Sequence, residues 1–129
     1  MIIDHIRDIE EFRCLFLERP MQTDMFTFEH IVNNPHLYCF YGEKDGKLKG
    51  FIFITVDKSG HLFLNGVSVP KNLPDNKDAI IKVCEAYKQD IYADTDLKHA
   101  VFMLKLAGFR HYEGNIYVRR QNNGKKQGT

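Results

Sequence analysis

The chain has 129 residues, 43% of them hydrophobic and 27% charged, with a formal net charge of +1. That length suits one domain with a proper core, and the near-neutral balance excludes a broad basic field that would draw it to nucleic acid or an anionic membrane. Cys14, Cys39 and Cys84 are odd in number and contain no C-x-x-C pair, which predicts reduced thiols rather than a disulfide framework.

The first residues are β-prone through Ile3. From Asp4 the apolar positions Ile6, Ile9, Phe12, Phe16 and Leu17 step by three and four, which predicts a helix capped by Asp4 and ended by Pro20. Asp4 and Arg7 also remove the resemblance to a secretory signal. A shorter helix is expected over residues 24–33, stopped by Asn34-Pro35. Residues 37–43 then read as a strand and 44–47 as a hairpin turn. Residues 48–56 (LKGFIFITV) read as a central strand buried on both faces.

After a turn at 57–60, residues 61–69 form the next predicted strand, broken at Val69-Pro70. Pro74 falls in the connection. An amphipathic helix follows over 76–89, with Ile80, Val83, Cys84 and Tyr87 on one stripe. A short strand is expected at 91–93 and a helix at 96–107, apolar nearly all round and ended by Gly108. Residues 109–113 and 115–120 pair about Gly114, and the polar residues 121–129 read as a loose tail. No apolar run approaches the ~18 residues of a membrane span, so a cytoplasmic protein is expected, or one carried in a particle assembled in the cytosol. The whole is a single α/β domain over residues 1–120, of order β-α-α-β-β-β-α-β-α-β-β, with a mixed sheet between helices on both faces.

This order, with two local phrases, resembles the GNAT superfamily of acetyl-CoA-dependent N-acetyltransferases. Val67-Ser68-Val69-Pro70 is similar to the V-x-P close of that family's fourth strand. The stretch from Ala100 to Gly108-Phe109 resembles the A-x-x-x-Y-x-x-x-G-F run that ends its last helix. If the resemblance extends to the cofactor, acetyl-CoA would lie against Val67, Val69, Lys71, Asn76 and Lys77. The acceptor amine would enter near residues 19–34 and the final hairpin.

Several positions depart from the family pattern. Its pyrophosphate loop reads Q/R-x-x-G-x-G/A, and the matching window here is Leu73-Pro74-Asp75-Asn76-Lys77-Asp78. Side chains stand where a bare backbone would approach phosphate, Pro74 lacks an N–H, and the two aspartates repel an anion. The family's general-acid tyrosine is Leu104, and its helix asparagine is Leu97. His61, Asp94 and Asp96 are the residues placed to act as a base, and Tyr92 or Tyr87 could replace the acid. Each also has a plain structural reading as a turn, cap or core residue. The six histidines show no metal-binding spacing, so no metal site is expected.

Two readings follow. One is a GNAT-like protein with a degenerate cofactor loop that works through protein contacts, as small diverged proteins of this kind do in tailed-phage heads. The other is an acetyl-CoA-dependent N-acetyltransferase with an atypical loop. Gly66, inside the fourth-strand pattern, is compatible with a bulge that would open the acyl cleft in either case.

Overall fold

The computed structural model describes residues 1–18, 26–68 and 73–121. In chain order the elements are β1 (Ile2–Asp4), α1 (Ile9–Glu18), α2 (Phe28–Val32), β2 (Leu37–Tyr41), β3 (Leu48–Val56) and β4 (Leu62–Ser68). They continue with α3 (Leu73–Glu85), β5 (Ile91–Asp94), α4 (Lys98–Leu106), β6 (Arg110–Glu113) and β7 (Ile116–Arg119). The strands make one seven-stranded sheet in the order β1-β2-β3-β4-β5-β7-β6. The β4–β5 pair is parallel and the other neighbours are antiparallel, so the sheet is mixed and the fold is α/β.

The period-2 alternation of the strands divides the core into two layers. Phe40, Ile52, Ile54, Leu62, Ile91 and Ala93 face Ala79, Ile80, Val83 and Cys84 of α3 and Met103 and Leu104 of α4. From the other face, Cys39, Tyr41, Phe51 and Phe53 meet Phe12 and Leu15 of α1 and Ile31 of α2. β3 contributes to both layers, which is why it reads as an unbroken apolar run. Only toward its end does it come out to solvent, at Val56.

The helix boundaries differ from the sequence expectation for local reasons. Asp4 does not cap α1. It ends β1, paired with Cys39, and its carboxylate accepts from the backbone N–H of His5 and from Arg7. Asp8 takes the capping role, accepting from the N–H groups of Glu10 and Glu11. Thr27 caps α2 through His30 N–H, so that helix begins at Phe28. Residues 19–25, where the expected ends of both helices fall, lie outside the described residues.

α3 begins earlier and ends sooner than expected. Pro74 is its second residue rather than part of the connection, a place where the fixed φ and missing N–H cost nothing. The helix closes at Glu85 with bonds from Ala86 N–H to Val83 O and from Tyr87 N–H to Cys84 O. Tyr87 therefore lies beyond the helix and is not part of its apolar stripe. α4 buries Met103, Leu104 and the adjoining Ala107, but Phe102 and Leu106 are 54% and 46% exposed. The expectation of a helix buried nearly all round is thus corrected: its sequence is apolar on a side that this fold leaves open.

The Gly108-Phe109 phrase has a direct explanation. Gly108 takes φ +96°. Its N–H bonds to Lys105 O, and Phe109 N–H reaches back to Leu104 O. This pair of bonds is a Schellman motif, with buried Leu104 and Phe109 at the positions that make its apolar contact. At the carboxyl end, Gln121 is not part of a loose tail. It bonds to Asp90, Gln89 and the carbonyl of Cys84. The remaining expected tail, 122–129, lies outside the described residues.

Gly66 does not form a bulge. The β3–β4 register runs without a shift from Gly50↔Ser68 to Val56↔Leu62. Glycine is needed at this point because an added Cβ would meet Phe51 O at 2.6 Å and Ile52 Cγ1 at 3.2 Å. β4 nevertheless parts from β5, since their pairing covers just Leu62↔Ile91 and Phe63↔Tyr92 while β4 continues to Ser68. Among the described residues no helix is long and apolar enough to cross a membrane.

Candidate functional site

The residues singled out from the sequence fall at two separated places. His61 and Tyr92 come together where β4 and β5 are still paired. His61 precedes β4, Tyr92 is the second residue of β5, and their rings lie 5.1 Å apart edge to face. Phe63, two residues after His61 and so on the same side of the strand, stands 5.7 Å from Tyr92. Tyr112 of β6 approaches Tyr92 from the other side at 5.5 Å. Arg120 lies 5.8 Å from the Tyr112 ring and forms an ion pair with Asp90 at 2.9 Å. The period-2 spacing of His61 and Phe63 was legible in the sequence. Tyr112 and Arg120 join the group through β5–β7–β6 pairing, which no local pattern announces.

His61 is anchored to the turn before it. Asp57 Oδ1 accepts from the His61 backbone N–H at 2.8 Å, and Asp57 Oδ2 lies 3.2 Å from His61 Nδ1. The His61 backbone N–H, joined by its ring and by the Ser59 N–H, holds the Asp57 carboxyl below its ordinary 3.8. A carboxylate behind an imidazole fixes the ring and its tautomer, the local requirement for a general base. Both side chains are open to solvent, however, at 52% and 39% exposure. Asp94 ends β5 two residues after Tyr92, paired with Ile116, and is exposed.

The second place is the start of α3. It lies at the far end of β4 from His61, about 20 Å along a seven-residue strand at ~3.3 Å per residue. Asn76 falls on the apolar stripe of the helix with Ala79, Ile80 and Val83, and it is 2% exposed. Neither its Oδ1 nor its Nδ2 has a hydrogen-bond partner among the described residues. Lys77 pairs with Asp78 at 3.3 Å instead of standing free. Val67 is partly buried against Phe51 and its neighbours. Val69 and Lys71 lie outside the described residues.

An open depression of about 460 Å³ runs beside α3 and β1. Glu43, Asp75, Asp78 and Glu85 line it against Lys82 and the Met1 ammonium, which pairs with Glu43 at 3.3 Å, so its balance is acidic and wrong for a phosphate. Leu104, the position that the acetyltransferase resemblance sets against a proton donor, is 5% exposed and packed in the core. The thiols offer no nucleophile in the interior: burial pushes Cys39 and Cys84 up to about 12. Among the described residues there is no group of three or more His, Cys, Asp or Glu that could hold a metal ion.

Tyr38, Tyr87 and His36 form a network that the sequence did not suggest. The two hydroxyls are 2.6 Å apart, and the Tyr87 oxygen lies 3.2 Å from His36 Nδ1. Burial, then the bond to Tyr38, raises the Tyr87 hydroxyl well above its usual value. A group so hard to ionise is suited to holding β2 against the end of α3 rather than to passing protons.

Compared with known proteins, the sequence matches no family model and no curated protein.

Proposed function

We propose that this chain is a diverged GNAT-like protein that has kept the scaffold and lost the acetyltransferase chemistry, and that it acts through protein contacts. The sheet supports the scaffold half of this reading. A parallel β4–β5 pair stands within an otherwise antiparallel sheet, parts after two residues, and has α3 between its two strands in the chain. That is the arrangement the resemblance leads one to expect.

The observation that carries the loss of chemistry is Leu104. Its side chain is committed to the core between the sheet and α4, so the position has neither a proton to donate nor access to a thiolate. The first turn of α3 argues the same way, since Asp75 and Asp78 are acidic and Lys77 is taken by Asp78. His61 and Tyr92, the remaining acid–base pair, lie at the other end of β4. A role in the assembly of a larger particle, such as a phage head, is the form of protein contact that the resemblance suggests.

One feature favours the second reading, an acetyl-CoA-dependent N-acetyltransferase. Asn76 keeps a buried amide with no partner among the described residues at the start of α3, and an amide can donate to a phosphate oxygen.

Thermal unfolding with added acetyl-CoA separates the two. A ligand that binds the folded state stabilises it as its concentration passes Kd. The proposal expects no rise in Tm up to millimolar acetyl-CoA. A rise at micromolar cofactor would overturn it in favour of the enzyme.

A further inference from the structure

The depression of about 460 Å³ beside α3 and β1 has an apolar floor. β1 is the outermost strand at this end of the sheet, and Ile3 pairs there with Phe40. Paired residues share a face, so Ile3 lies on the side that α3 covers. Met1, Ile3 and Ile81 pack against the core but stay only partly buried. The α3 wall follows from helical spacing. Asp78, Ile81 and Glu85 recur at i, i+3 and i+7, and Asp75, Ala79 and Lys82 at i, i+4 and i+7. These are two adjoining rows on one flank, about 15 Å long at 1.5 Å per residue.

The rim is acidic. Four carboxylates line the groove against two ammonium groups, Lys82 and Met1. Glu43 holds the Met1 ammonium, and Lys77 reaches Asp78 at 3.3 Å from outside the lining. Asp75 and Glu85 form no ion pair among the described residues. Asp75 suits the amino end of α3. Glu85 is the last residue of the helix, where a carboxylate opposes the helix dipole. Helix stability therefore does not account for it.

We propose that this groove receives a basic amphipathic segment of a partner protein. Its apolar side chains rest on Met1, Ile3, Ala79 and Ile81, and its Lys or Arg groups meet Asp75 and Glu85. Apolar anchors at helical spacing are how an amphipathic segment lies in such a groove. Exposed ion pairs contribute little each, so the apolar contact carries the affinity while the acidic rim selects a basic segment over an acidic one. The proposal rests on the reading that this chain acts through protein contacts, and it names the surface and the chemistry of one such contact.

The test uses the full chain and a labelled synthetic peptide of leucine and lysine at amphipathic helical spacing, with fluorescence anisotropy as the readout. Saturable binding at micromolar protein is expected. A peptide with serine for leucine, and another with glutamate for lysine, should each bind roughly tenfold more weakly or worse. Asp75→Lys/Glu85→Lys should weaken the lysine peptide by about the same factor, and the milder Asp75→Asn/Glu85→Gln should weaken it less, with circular dichroism to verify folding. Asp94→Lys/Glu113→Lys changes net charge equally on β5 and β6, away from the groove, and should leave binding unchanged. Absence of binding would overturn the proposal, as would equal losses in the two reversed pairs or a serine peptide that binds as well. Those outcomes strike the groove alone. A rise in Tm with micromolar acetyl-CoA strikes the reading beneath it, so the two failures are told apart.

Discussion

The hydroxyls of Tyr38 in β2 and Tyr87 beyond α3 lie 2.6 Å apart, 49 residues distant in sequence. Both rings pack against the core beneath α3, so the bond is made in a partly dry setting. Removing one partner leaves the other hydroxyl poorly satisfied, which typically costs about 1–3 kcal/mol. Tyr87→Phe and Tyr38→Phe should each destabilise the protein by about 1 kcal/mol in urea unfolding. The double variant should cost clearly less than the sum, since the second change removes a group already without its partner. Additive losses would show that the two hydroxyls are not coupled.

Gly66→Ala should destabilise the protein, although Gly66 sits in a strand where alanine is ordinarily tolerated. The added methyl meets a backbone oxygen, Phe51 O, at 2.6 Å, and an oxygen held in the sheet cannot rotate aside. Overpacking of this kind costs about 1–3 kcal/mol. Equilibrium denaturation is the measurement, and a stability equal to the parent would refute the close approach.

Asn76 makes the opposite prediction. Its amide is desolvated without a partner among the described residues, which costs about 1–3 kcal/mol on protein scales. Asn76→Leu, of similar size and on an apolar stripe, should be neutral or stabilising by about 1 kcal/mol. A marked loss in Tm would reveal a partner for the amide.

The acid limb of stability follows from Asp57. Its folded-state carboxyl is held below 3.8 chiefly by the His61 backbone N–H, so it gives up its proton more readily folded than unfolded. A depressed carboxyl contributes stability above the unfolded value, and that contribution is lost as pH falls through the folded one. Asp4 and Asp45 act in the same direction, each led by a backbone N–H bond. Below about pH 4 Tm should therefore drop. Asp57→Asn should lower Tm at neutral pH and converge on the parent in acid. A gap between the two that widens as pH falls would contradict this sign.

Strand character was legible wherever burial acts locally. The run Leu48–Val56 is apolar because β3 faces two core layers, and alternation along residues 37–41 separates the same two layers. Gly108 was legible as a helix end because a positive φ is a property of one residue. The candidate site was legible only in part. His61 and Tyr92 each carry acid–base chemistry in the sequence, yet nothing local joins residues 31 positions apart. The parallel β4–β5 pairing makes them neighbours and adds Tyr112 through β7. Asn76 is wrong for a phosphate loop by its residue type alone, but its burial depends on which side of α3 meets the sheet.

The chain by itself determined the alternation of strands and helices, the turns and caps, and the absence of glycine from the start of α3, because these follow from backbone sterics and periodicity over a few residues. Tertiary structure alone decided which apolar stripe of α4 is covered. It placed Leu104 in the core and left Phe102 and Leu106 in solvent, although all three are equally apolar in sequence. It also decided that β6 is the outermost strand of the sheet, with all four of its residues exposed. Burial is a relation between distant segments, and long-range pairing, not local propensity, assigns it.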